Sequence, residues 1–202
     1  AKYKHMFKEH YQDIARVEIM SLIKINQLDL ALRFSKELLE KYKNATNYEN
    51  VAVILYSQKM YKESLPYFES AYDENKNAKT LLNLVNVLYG YLDKKSLAIS
   101  YLETYLGLNG CDLNVCQRLL GYYQEEQNID GMASILKKIY KKHKQMNKNE
   151  ESLDRITNAI IEVLKIKDIN NAVKFLEENN IKDTRLLSLY HQTQEFKKAL
   201  AL

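Results

Sequence analysis

The chain repeats itself every 34 residues, and a period of that length leaves few folds open. Ser64 and Ala98 stand one period apart, and the next step reaches Met132, beside Ala133. Phe68, Leu102 and Leu136 follow these anchors by four residues, and Ala71, Tyr105 and Ile139 by seven. Leu55, Tyr89 and Tyr123 precede them by nine residues, Val51, Val85 and Leu119 by thirteen, and Tyr48, Leu82 and Cys116 by sixteen. Steps of three, four and seven trace helical faces, so each period holds two short helices with almost nothing between them. Such a pair cannot bury its apolar side alone, and the copies must stack. Composition agrees. One proline and five glycines are too few for an all-β fold or long loops, and predict helices joined by tight turns.

Small residues stand where a helix normally wants bulk. Two helices of a pair pack closely only if one presents a small side chain where the other crosses. Ala52, Ser64, Ala71 and Ala98 are predicted to make that room, with Tyr48, Leu55 and Phe68 filling around them. This arrangement resembles the tetratricopeptide repeat (TPR), a helical hairpin of the same period. The resemblance implies an all-α, right-handed superhelix of about five to six antiparallel TPR-like hairpins. Copies are expected at about 11–44, 45–78, 79–112 and 113–146, within a hairpin region 1–146. A polar insertion at 147–152 follows, and 153–202 continues the same solenoid as a degenerate hairpin and a truncated last one. In the first copy, Ile14, Val17 and Met20 are assigned to the first helix, and Ala31, Phe34 and Leu38 to the second. Three departures stand out. Lys76 and Gly110 occupy the place of the family's turn proline, and Asn86 replaces a small residue. Pro66, the one proline, falls near the start of a second helix, where at most one backbone hydrogen bond is lost.

In the family, the first helices of the hairpins line a concave face that takes partners. Carried onto this chain, that face reads Val53, Tyr56, Val87, Tyr91 and Gln124. The Lys and Asn residues with which some TPR domains grip a chaperone's C-terminal carboxylate are missing. An apolar, aromatic groove suits a helix or an extended segment of another protein. The resemblance therefore implies a protein–protein interaction scaffold; the alternative is a TPR-type regulator or secretion chaperone that binds peptides. Self-association is left open.

Chemistry has little to stand on. His5, His10, His143 and His191 fall in no metal spacing, so neither a metal site nor a cofactor is expected. The scattered glycines make no phosphate-cradling loop, and adjacent pairs such as Glu125–Glu126 and Glu177–Glu178 read as solvated helix ends. No catalytic residue is assigned, and the chain is read as a non-enzyme. Thirty basic residues against 26 acidic ones exert no global pull on nucleic acid. The one basic cluster, Leu136 to Asn149, reads as a helix C-terminus whose lysines complement the macrodipole, with phosphate or anionic-lipid contact as the functional alternative. The longest apolar run, Val51 to Tyr56, is six residues against the ~18 of a membrane span, so no direct membrane insertion is expected. The chain starts without Met and ends in residues read as helical, Ala199 to Leu202, which suggests a segment of a longer protein.

The only two cysteines, Cys111 and Cys116, flank Asp112, a good N-cap able to accept from the backbone of Asn114 or Val115. They occupy the residue before the cap and the fourth residue of the helix, the partners of a hydrophobic staple. That closeness allows a disulfide, and equally a reduced pair that packs as small hydrophobes. A disulfide favours the bacterial periplasm, reduced thiols a cytoplasmic home. The Lys-, Asn- and Tyr-rich texture is similar to that of TPR proteins of the Campylobacter and Helicobacter group. These include the paralysed-flagellum proteins, which scaffold the periplasmic flagellar motor.

Overall fold

The structure, a computed structural model, describes residues 2–147 and 149–201, with side chains from His10 onward. His5 lies outside the described side chains, and Lys148 of the basic cluster outside the described residues. All regular structure among the described residues is α-helical. Six helix–turn–helix pairs follow one another: α1 (Lys2–Lys24) and α2 (Leu28–Lys41), α3 (Ala45–Ser57) and α4 (Tyr61–Glu74), α5 (Ala78–Gly90) and α6 (Lys95–Asn109). Then come α7 (Leu113–Glu125) and α8 (Ile129–Gln145), α9 (Glu150–Lys167) and α10 (Ile169–Glu178), and the short α11 (Thr184–Gln192) and α12 (Phe196–Leu200). No helix among the described residues is long and apolar enough to cross a membrane. The chain divides into two compact units, one up to Tyr105 and one from Leu106.

The turns explain how the chain manages with so few glycines. Asn26, Lys59, Asp93, Gln127 and Gln194 sit between the two helices of five pairs with positive φ, from 53° to 63°. Asn and Asp tolerate this left-handed conformation better than most side chains, and elsewhere a buried helix pair holds it in place. In four of these turns the residue after the left-handed one donates back five places, as Met60 N–H does to the Leu55 carbonyl (2.9 Å) and Asn128 N–H to that of Tyr123 (2.8 Å); after Asp93, Lys94 N–H reaches one residue further, to Leu88 (2.8 Å). This closes the first helix as a Schellman turn. First helices start on side-chain caps: Asn44, Asn77, Asp112, Asn149 and Asp183 each accept from a backbone N–H two or three residues on. Asp112 accepts from both Asn114 (3.0 Å) and Val115 (3.2 Å).

In the first unit, Ile19 of α1, Ala31 and Leu38 of α2 and Ile54 of α3 form one buried cluster that joins the first pair to the second. Leu39, Val51 and Leu55 form another, with Tyr48 packed partly buried against it. Ala52, Ser64, Ala71 and Ala98 have no exposed surface, and Leu55 and Phe68 are buried beside them. α1 turns differently from the sequence assignment. Ile14, Val17 and Met20 are 57–69% exposed, while Ala15, Ile19, Leu22 and Ile23 face α2. Both stripes have helical spacing, and only the position of α2 selects between them.

In the second unit, Leu136, Tyr140, Ile160, Leu164, Phe175 and Leu176 belong to one core that continues to Leu186 and Tyr190. Two details depart from expectation. The insertion assigned to 147–152 is shorter, because Glu150, Glu151 and Ser152 already form the first turn of α9. Asn149 caps that turn, and the two glutamates suit its positive end. In the fourth pair, Gly131 and not Met132 makes the close approach: a Cβ there would lie 2.7 Å from three atoms of the Tyr123 ring.

Candidate protein-binding site

The first unit carries an exposed aromatic surface built by α3, the start of α4 and the end of α5. The tight turn at Lys59 brings Tyr61 back against Tyr56, with ring centroids 5.4 Å apart. Tyr91, just past α5, stacks on Tyr61 (4.0 Å, 23°) and meets Tyr56 edge-on (5.3 Å). Offset and edge-on contacts of this kind hold rings in place without covering their outer faces. Asn86 donates to the Tyr56 hydroxyl (3.3 Å), which donates to that of Tyr91 (2.7 Å). The chain of donors ends at the Tyr91 O–H, on a residue 45% exposed. The hydrogen bond to Tyr91, followed by burial, raises the Tyr56 pKa, so the hydroxyl stays protonated as a donor at neutral pH. Asn86, the departure from the small-residue rule, thus has a polar task.

Val53 lies along the same helix and is 36% exposed. One further turn toward the start of α3, Glu49 accepts from Asn83 (2.9 Å) and pairs with Lys79 at 3.5 Å. The predicted groove therefore comes together in part. Val53, Tyr56 and Tyr91 share this surface, and the structure adds Tyr61 and Asn86. Val87 does not line it; its surface is fully buried, because α5 turns that residue into the core with Leu84 and Leu88. Gln124 is exposed and belongs to the second unit. Tyr61 could have been found from its place directly after a two-helix turn, five residues beyond Tyr56. Cys111 and Cys116 come together ahead of and within the first turn of α7, with Cα atoms 6.0 Å apart.

No family model and no curated protein matches the chain. Solved structures do. A tetratricopeptide repeat protein from Parabacteroides merdae matches with a TM-score of 0.59 at 18% identity, over 94% of this chain and 76% of that one. YrrB, described as a TPR protein with an unusual peptide-binding site, matches at 0.51 and 22% identity, over 83% and 90%. The TPR2AB domain of yeast Sti1, solved in a complex with pHSP90, matches at 0.51 and 15%, over 96% and 88%. The chain has the tetratricopeptide-repeat fold.

Proposed function

We propose that the chain is a protein–protein interaction scaffold, and that its first unit binds an apolar or amphipathic segment of a partner protein across Val53, Tyr56, Tyr61 and Tyr91. The observation that carries this reading is the tyrosine cluster: three rings held by one another, half-buried at Tyr56 and Tyr61 and exposed at Tyr91, where the chain of hydroxyl donors ends. Rigid aromatic area is what interfaces use for anchors. The peptide-binding site of YrrB and the Sti1 complex give the fold a precedent for this kind of work. The regulator reading needs free amide groups in the groove, and Asn83 is already engaged by Glu49.

The test is a peptide selection against the intact chain, followed by calorimetric titration of the enriched peptides. Apolar and aromatic sequences should be enriched. The Val53→Glu/Tyr91→Glu variant should bind them at least about tenfold more weakly with helix content unchanged, since a charge then faces an apolar partner. Native affinity in that variant moves the interface to the outer helices.

For compartment, the cysteine pair supports an oxidising one such as the bacterial periplasm. The Cα separation of 6.0 Å suits a disulfide. A flagellar-motor assembly there rests on compositional resemblance alone. Thiol titration of denatured, unreduced protein taken from its native compartment should find no reactive thiol. Two per chain would place the pair as a reduced staple and return the protein to the cytoplasm.

A further inference from the structure

The second unit has a cavity of about 510 Å³ between α8 and α10, floored by the last turns of α9. Val163, Leu164 and Phe175 make its floor apolar, and Lys137, Lys167 and Lys174 stand around it. A second hollow of about 310 Å³ continues past Phe175 along α8, edged by Lys141 and Lys144. Two acids share the rim and are already engaged, Asp130 by Lys167 and Glu178 by Lys174 (3.8 Å). Lys137, Lys141 and Lys144 have no carboxylate partner among the described residues; Lys137 lies over the Phe175 ring at 5.9 Å. Steps of four and three residues place these three cations on one face of α8, along roughly 10 Å of helix.

We propose that this channel binds an acidic segment of a partner protein. One bulky apolar side chain of the segment fills the hollow over Phe175, and its carboxylates face Lys137, Lys141 and Lys144. The charge arrangement and the shape together select this occupant. A carboxylate row at helical or extended spacing matches the unpaired lysines, and an apolar anchor matches the floor. Nucleic acid fits poorly. A polynucleotide carries no apolar side chain to match Val163, Leu164 and Phe175, and would leave that part of the cavity unused. A flat anionic bilayer would touch the rim lysines and leave the floor empty. The site lies mainly on the second helices of two pairs and is independent of the tyrosine surface.

Fluorescence-anisotropy titration of the intact chain tests it. The probe is a labelled synthetic peptide with glutamate at every third or fourth residue around one phenylalanine. Saturable binding is expected, weakened by added salt and lost when the glutamates become glutamine. Lys137→Glu/Lys141→Glu should weaken it at least about tenfold, and Ser134→Trp, which fills the cavity from an exposed wall, by a similar factor. All three positions are exposed, so circular dichroism should show the fold unchanged. Absence of saturation overturns the proposal, as does binding indifferent to these variants. Tighter binding of a single-stranded oligonucleotide or of phosphatidylglycerol vesicles, lost in the same lysine variant, also overturns it.

Discussion

Ile19→Ala and Ile54→Ala should each cost about 2–5 kcal/mol, while Met20→Ala, one residue away from the first, should stay within about 0.5 kcal/mol of the parent. Ile19 is 2% exposed and Ile54 fully buried, in the same cluster; Met20 is 57% exposed. Removing either isoleucine leaves a hollow between the first and second pairs that the neighbouring turns can fill only in part. Because the two side chains share one cluster, the double variant should lose less than the sum. Chemical denaturation followed by circular dichroism reads all four. Equal losses at Ile19 and Met20 would mean that α1 packs through the stripe of Ile14, Val17 and Met20 after all.

Added volume at the crossings should destabilise as removed volume does in the core. Ala52→Leu and Ala98→Leu add volume where no surface is exposed, and each should cost about 1–3 kcal/mol. Gly131→Ala should cost a similar amount, although replacing a helical glycine by alanine ordinarily gains up to about 1 kcal/mol. The added methyl would meet three atoms of the Tyr123 ring at 2.7 Å, and that ring is only 6% exposed and cannot swing aside. Steric overlap outweighs propensity. Gly107→Ala is the control with the other sign: nothing lies within 4 Å of its Cβ position in α6, so that variant should melt higher. A stabilised Gly131→Ala would remove the close approach of α8 to Tyr123.

Much of this was legible in the residues. A repeat of thirty-four with small residues at Ala52, Ser64 and Ala98 determines helix pairs, because a helical face and a close crossing each leave a local mark in spacing and size. Asp112 was readable as a cap for the same reason, since its partners are its own neighbours. The exposed aromatic surface was half legible: Val53, Tyr56 and Tyr91 came from the repeat register, while Tyr61 arrives through a left-handed turn at Lys59 that no glycine announces.

What remained was decided between helices. α1 has two apolar stripes of equal periodicity, and only contact with α2 and α3 makes Ile19 core and Val17 surface. Val87 shares its repeat position with Val53 but is buried where Val53 is half open, because a residue's exposure depends on what packs over it as well as on its own helix. The lysines of α8 read as an ordinary helix end until α9 and α10 place Lys167, Lys174 and the Phe175 floor beside them. Sequence determines the pairs because their signals are local in the chain. Tertiary structure decides the faces, since burial and cavities belong to residues that meet only after the pairs have stacked.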